Sequence, residues 1–321
     1  MILTVTMNPA YDLTYRLERL ERGRAQRVLS VEQRLGGKGI NVMRVLTQLG
    51  SGARATGFAD HTFAAAAAAE FPADFVPALP WVRRTLVISE SSDGTATGLW
   101  EPGAYVHEPH AVDRLADRIA FLLPELRGVV VSGSLPGGID DGVPAELARS
   151  AVAAGVPTVC DVDGPALKLA AAVPGVVLMP NQDELERLTG VVAERPEAVV
   201  RAARPLLDAG VRAVIATRGT AGMIAVTASG AWSARLPKSL AGNPTGAGDA
   251  AAAAVIRALA AAREPDWPSV LIDAVATSAA AVVIPVAGQI DLTLRDRLTP
   301  TVQVTDLLSS PERGTRHPAQ A

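Results

Sequence analysis

Cysteine is almost missing from this chain. Cys160 stands alone among 321 residues, which excludes a disulfide framework and any multi-cysteine metal site. Aromatic residues are scarce too, at 4%, so the core must be built from Ala, Val and Leu. No excess of basic charge exists: the formal net charge is −3, and no basic stripe is interleaved with aromatics. That argues against nucleic acid as a partner and leaves any anionic ligand to a few local Lys or Arg residues. The four histidines, His61, His107, His110 and His317, are scattered, and no HExxH-like pattern surrounds the closest two. No uncharged apolar stretch reaches the roughly 18 residues needed to cross a membrane. The opening Ile2-Leu3-Thr4-Val5-Thr6 lacks the charged-then-apolar order of a signal peptide. A cytoplasmic protein with no membrane partner is the expectation.

What is present is globular. Hydrophobic residues make up 49% and charged residues 20%, far from the composition of disordered chains. The length allows one large α/β domain. Short apolar runs at Val129–Val131, Val156–Cys160, Val176–Met179 and Ala213–Ala216 alternate with helical patterns, among them one from Pro144 to Gly155. That alternation predicts βαβ units, hence a Rossmann-like, mostly parallel sheet with helices on both faces. After Gly39, the spacing of Val42, Val45, Leu46 and Leu49 predicts a helix closed by Gly50. Residues 247–262 predict a helix so rich in alanine that something packs very closely against it. The alanine run at 64–69 predicts a short helix.

Two stretches leave the βαβ rhythm. Residues 11–35 and 84–101 alternate charged and apolar side chains, the second with a turn at Ser92-Asp93-Gly94. Alternation predicts strands with one solvated face, so these excursions form a small β-sheet lid. A single domain over 1–308 and a disordered tail over 309–321 complete the division.

Several segments could carry chemistry. In Asn243-Pro244-Thr245-Gly246-Ala247-Gly248-Asp249, two glycines open the backbone N–H groups at a helix start, where the helix dipole favours an anion. Asp249 could there accept the proton of an attacking hydroxyl, or be an ordinary first-turn Asp. The same stretch fits a loose dinucleotide fingerprint, but no strand precedes it. Gly36-Gly37-Lys38-Gly39-Ile40-Asn41 is a glycine loop around one lysine, without the features of a Walker A loop. Lys38 would meet a phosphate as a point charge, or be a solvated lysine in a turn. Asp12, in Asn8-Pro9-Ala10-Tyr11-Asp12, follows the first strand, where an Asx turn is the simpler alternative. Asn181 and Glu184 share a helix face and could orient waters on magnesium, or form a capping box. Thr217-Arg218-Gly219-Thr220-Ala221-Gly222 could lie under a nucleotide or be a plain hairpin turn.

The order of these pieces resembles the phosphofructokinase B branch of the ribokinase-like sugar kinases. The resemblance covers roughly residues 1–305. The motifs at 6–12, Ser132-Gly133-Ser134-Leu135-Pro136 and Glu101-Pro102-Gly103 are most similar to the phosphosugar members, the 1-phosphofructokinases and tagatose-6-phosphate kinases. It implies a ribokinase-like fold and ATP-dependent transfer to a hydroxyl of a ketohexose phosphate, with Mg2+. It assigns Asp249 as general base and the Gly246, Ala247 and Gly248 backbone to the transferred phosphoryl group. It gives sugar hydroxyls to Asp12, Gly37 and Asn41, and places Ser134 among the substrate-binding residues. Lys38 and Arg83 grip the substrate's own phosphate, with Arg84 as the other candidate for the second role. Asn181 and Glu184 support phosphate and magnesium, Glu184 through water, while Thr217, Gly219 and Gly222 shape the ATP site. It also implies a homodimer through paired lids.

The chain departs from the family pattern at three places. Met179 replaces a lysine, Asp163 replaces a serine, and the glycine-rich stretch after Thr56-Gly57 is replaced by Ala59-Asp60-His61-Thr62-Phe63 and the alanine run. That last region borders the substrate pocket in relatives, so the identity of the sugar is the expectation most exposed to correction. A kinase of an unphosphorylated sugar or nucleoside, and a sugar-phosphate-binding protein without catalysis, are the two alternatives.

Overall fold

The structure is a computed structural model and describes residues 1–309. The expected tail therefore lies almost wholly outside the described residues. The chain begins with β1 (Ile2–Thr6), then β2 (Ala10–Leu17), β3 (Ser30–Gly36) and α1 (Lys38–Gln48). Next come β4 (Ala53–Ala59), α2 (His61–Glu70), β5 (Ala73–Pro77), β6 (Arg83–Glu90), β7 (Ala96–Trp100) and α3 (Ala111–Leu122). The middle is β8 (Gly128–Ser132), α4 (Val143–Ala153), β9 (Thr158–Asp161), α5 (Gly164–Ala170), β10 (Val177–Leu178), α6 (Gln182–Thr189), α7 (Pro196–Asp208) and β11 (Ala213–Thr217). The end is β12 (Met223–Thr227), β13 (Ala231–Arg235), α8 (Ala247–Ala261), α9 (Trp267–Val282), α10 (Leu292–Leu298) and β14 (Gln303–Asp306).

Ten strands form one sheet in the order β14-β13-β12-β11-β10-β9-β8-β1-β4-β5. From β5 to β11 every pairing is parallel, and β12 to β14 add an antiparallel edge. β1 and β8 are buried along their whole length, as continuous apolar strands covered on both faces should be. On one face α1, α8 and α9 pack together; on the other, α3 to α7 contact one another in succession. The alanine helix found its close neighbours: Ala250 to Ala254 are all fully buried between these elements. Small side chains are what let α8 approach both α1 and α9.

The chain winds outward from β1 through β4 to β5, then returns and winds the other way from β8 to β11. The reversal lies between β1 and β8. In open parallel sheets a crevice forms at such a switch point, beyond the carboxyl ends of the strands.

The lid is a separate four-stranded sheet, β3-β2-β6-β7. Its two excursions meet through parallel pairing of β2 with β6, which places Asp12 opposite Thr85, while β3 places Arg34 opposite Asp12. Residues 18–29, inside the first excursion, form no strand. Leu13, Tyr15, Leu86 and Leu99 share the sheet face turned away from Asp12, because side chains alternate along a strand.

The divergent segment folds as the short helix α2. Its N-cap, Asp60, accepts hydrogen bonds from the Phe63 N–H at 2.7 Å and from the Val82 N–H at 3.0 Å. Asp60 thereby ties α2 to the residue before β6.

Candidate active site

A cleft of about 490 Å3 opens at the switch point, between the main sheet and the lid. The loop after β1 and the loop after β8 form its floor. Asn8 Nδ2 joins them, donating to Ser134 Oγ at 3.0 Å and to the Leu135 carbonyl at 3.4 Å.

Two helix N-termini converge on this cleft, those of α1 and α8. Gly246 caps α8 with φ +85, and a Cβ there would lie 2.8 Å from the Ala287 Cβ. Only glycine meets both demands. Ala247 opens the helix, its N–H donating to the Pro244 carbonyl at 3.1 Å, and Gly248 has nothing within 4 Å of where a Cβ would stand, so no side chain crowds the turn where it borders the cleft. Asp249, in the same turn, is buried, and its Oδ2 accepts a hydrogen bond from Asn41 Nδ2 at 2.9 Å. Burial, and then the charge of Asp161, push its carboxyl up to about 7, against the opposing pull of Lys38 and the Asn41 amide.

Lys38 is the first residue of α1, behind Gly37. Its Nζ donates to Asp161 Oδ1 at 2.8 Å. Burial alone would lower the lysine, but the charges of Asp161, Asp249 and Glu184 outweigh it, so the ammonium is held protonated above its usual range. Asn181 and Glu184 cap α6 as a reciprocal box. The Asn181 side chain accepts from the Glu184 N–H at 2.9 Å, and Glu184 Oε2 accepts from the Asn181 N–H at 2.8 Å. The other Glu184 oxygen has no hydrogen-bond partner among the described residues. Burial raises the Glu184 carboxyl, partly offset by the Asn181 N–H. Asn181 also bridges to Thr217 at the end of β11.

The lid supplies the far wall. Asp12 accepts a short hydrogen bond from the Thr85 hydroxyl. Burial raises its carboxyl, although Thr85 and the nearby Arg44, Arg83 and Arg34 work against that. Arg83 donates to the carbonyls of Asn8 at 3.4 Å and Glu101 at 3.5 Å. Its buried Nε has no partner, and no carboxylate lies within ion-pair distance of it among the described residues. Burial lowers its pKa, with Asp12 and Asp163 acting the other way.

Twelve residues singled out from the sequence line this one cleft: Asp12, Gly37, Lys38, Asn41, Arg83, Ser134, Asn181, Glu184, Thr217, Gly246, Gly248 and Asp249. Ala247 sits between two of them in the helix turn. Arg84 points elsewhere, into the groove on the outer lid face. Gly219 and Gly222 are not brought in. They belong to the β11–β12 hairpin, and a Cβ on Gly222 would stand 2.0 Å from the Ala234 carbonyl oxygen, a packing reason for that glycine. Residues 58–70 do not line the cleft either, so the divergent segment acts on it only through what it supports.

Sequence reasoning missed Asn8, Thr85, Trp100, Asp161, Asp163 and Thr245 as lining residues. Asp161 carried a usable signal: it ends a buried strand, like Ser132 and Thr217. Trp100 carried none, because the lid face it occupies depends on strand register.

The donor set fits magnesium held through water. Among the described residues no three His, Cys, Asp or Glu side chains converge tightly enough to cage an ion. Mg2+ characteristically keeps waters and binds through one or two carboxylates plus substrate phosphates. The free Glu184 oxygen beside the Lys38–Asp161 pair offers such a carboxylate surface.

A twisted parallel sheet with a β lid, two helix N-termini and a buried carboxylate at their meeting point define a small-molecule kinase class of site. The chain matches the pfkB family of carbohydrate kinases over residues 5–292, and it belongs to that family. It is 35% identical over 266 residues to a 1-phosphofructokinase of Xanthomonas campestris, covering 80% of this chain and 83% of that one. Among solved structures, a possible 1-phosphofructokinase from Thermotoga maritima superposes with TM-score 0.86 at 24% identity, covering 95% of this chain and 99% of the other. Phosphofructokinase-2 from Escherichia coli, in complex with substrates and products, gives TM-score 0.84 at 24% identity, covering 93% and 98%. Both establish the ribokinase-like α/β fold. The chain is thus a carbohydrate kinase. Among the described residues, no helix is long and apolar enough to cross a membrane.

Proposed function

We propose that this carbohydrate kinase transfers the γ-phosphoryl group of ATP to a hydroxyl of a ketohexose phosphate, fructose 1-phosphate or a 6-phosphate of fructose or tagatose. The observation that carries the reading is the meeting of Asp249 with the open N-terminal turn of α8. The Asp249 carboxylate takes the proton as the sugar oxygen forms its bond to phosphorus. The bond from phosphorus to the bridging oxygen breaks, and that electron pair leaves on ADP. Asn41 holds one carboxylate oxygen and so turns the other towards the acceptor. The Gly246–Gly248 N–H groups meet negative charge on the transferred group. Lys38, held by Asp161 near Asp249 and Glu184, is with Arg83 a cation for the phosphate already on the substrate.

Bound magnesium would neutralise donor phosphate charge, with Glu184 and Asn181 orienting its waters. Thr217 lines the same side. Asp12, Thr85, Asn8 and Ser134 offer donors and acceptors to sugar hydroxyls. Arg83, without a carboxylate of its own, joins Lys38 in gripping the substrate's phosphate. The outer lid face, with Leu99 and Val31 each 53% exposed, supports pairing of two lids in a homodimer. Both substrates belong to the cytoplasmic metabolite pool, where we place the activity.

The test is a substrate-panel assay of ATP consumption with the wild type and Asp249→Asn. A general base contributes about 10²–10⁴-fold, so the variant should lose at least about a hundredfold in kcat on the phosphosugar that the wild type uses. Wild-type turnover by Asp249→Asn would remove the assigned base.

A further inference from the structure

Trp100 is the largest side chain in the cleft with no role in the transfer just described. It ends β7, the edge strand of the lid, opposite Thr85. That register puts the indole on the same sheet face as Thr85 and Asp12, the face that looks into the cleft. The ring lies flat along the strand across Gly98: a Cβ on Gly98 would come within 2.5 Å of Cη2 and 2.7 Å of Cζ2. A side chain at position 98 would therefore displace the indole. The ring remains 62% exposed, at the sheet edge where it borders both the cleft and the groove on the outer lid face. An indole held by a glycine seat, open to the cleft and flanked by hydroxyl and carboxylate groups, has the two-sided chemistry of a carbohydrate platform. Its face suits the C–H face of a sugar, while Asp12 and Thr85 reach the hydroxyl edge.

We propose that Trp100 is a specificity-determining residue, whose indole packs on the C–H face of the acceptor sugar and holds it under the lid. This rests on the reading of the cleft as a sugar-phosphate kinase site. Trp100 acts on acceptor binding and not on the nucleotide, because its strand partner is Thr85, whose hydroxyl holds Asp12 on the lid wall.

The experiment compares wild type, Trp100→Phe and Trp100→Ala with saturating Mg-ATP and varied fructose 1-phosphate, fructose 6-phosphate and unphosphorylated fructose. For whichever acceptor the wild type uses, Trp100→Ala should raise KM about tenfold, as loss of a stacked aromatic face does. Trp100→Phe should raise it less, and kcat and the KM for ATP should stay near wild type. Titration of the same sugars into the protein should quench tryptophan emission in the wild type and lose most of that quenching in Trp100→Phe. The quenching needs no turnover, so it decides the role of Trp100 even if phosphosugars prove not to be the acceptors, an outcome that the wild-type panel reads separately. An unchanged acceptor KM in Trp100→Ala, an equal rise in the KM for ATP, or a change in oligomeric mass that accounts for the loss would each overturn the proposal.

Discussion

Replacing Asn41 with alanine removes the hydrogen bond its Nδ2 donates to Asp249 Oδ2 at 2.9 Å. A hydrogen bond to a charged group contributes about 1.5–3 kcal/mol, or about one to two pKa units at about 1.36 kcal/mol per unit. The bond favours the ionised carboxylate, so its loss raises the Asp249 pKa. The starting value is about 7; the variant should titrate at about 8 to 9. A carboxylate serves as a base only when ionised, so activity falls as pH drops through that value. At pH 7 the wild type is about half ionised and the variant about 1–10%, a loss of about five- to fifty-fold in kcat/KM that recovers towards pH 9. Asn41 Oδ1 has no hydrogen-bond partner, so the truncation strands nothing else, and the melting temperature should fall mainly at high pH, where Asp249 is ionised and loses the bond. The assay is kcat/KM for the phosphosugar from pH 6 to 9.5, with melting curves as a control. An acidic limb that stays at the wild-type position, with activity lost evenly at every pH, would refute the reasoning. Asn41 would then act on a sugar hydroxyl, the role the family resemblance implies, and not on the base.

Arg83→Ala should raise the KM for a phosphosugar at least about tenfold and leave that for an unphosphorylated sugar nearly unchanged; equal effects on both would detach Arg83 from the substrate phosphate. Leu86→Glu with Leu99→Glu puts two charges on the outer lid face, and light scattering should show the mass halved. An unchanged mass would place any dimer elsewhere.

Most of the sheet was legible because its strands carry their own signal. Val129–Val131 and Ala213–Ala216 are buried on both faces, and continuous apolar runs state that without tertiary context. The lid was legible through alternation, but the parallel pairing of β2 with β6 was not, since nothing local sets it. The capping box at Asn181–Glu184 and a magnesium role are compatible readings. The structure shows the box using one Glu184 carboxylate oxygen, and Glu184 also lines the cleft. Gly219–Gly222 is the turn across which β11 and β12 pair directly. Asp161 was visible as a strand end, but its role was not. Its meaning depends on Lys38, 123 positions earlier, and only the adjacency of β8 to both β1 and β9 brings them together.

That pairing also bears on what can enter the cleft. Five carboxylates line it, Asp12, Asp161, Asp163, Glu184 and Asp249, against two cations, Lys38 and Arg83. Asp163 adds to the excess. A bare nucleotide tetraanion would be repelled by such a wall, whereas a nucleotide that brings its own divalent cation would not. The raised pKa of Asp249 has the same origin: a buried carboxyl near Asp161 keeps its proton longer because no further cation is available. Under the proposed function, a divalent cation held near Glu184 would oppose the donor's phosphate charge and so limit any further rise in the Asp249 pKa on donor binding.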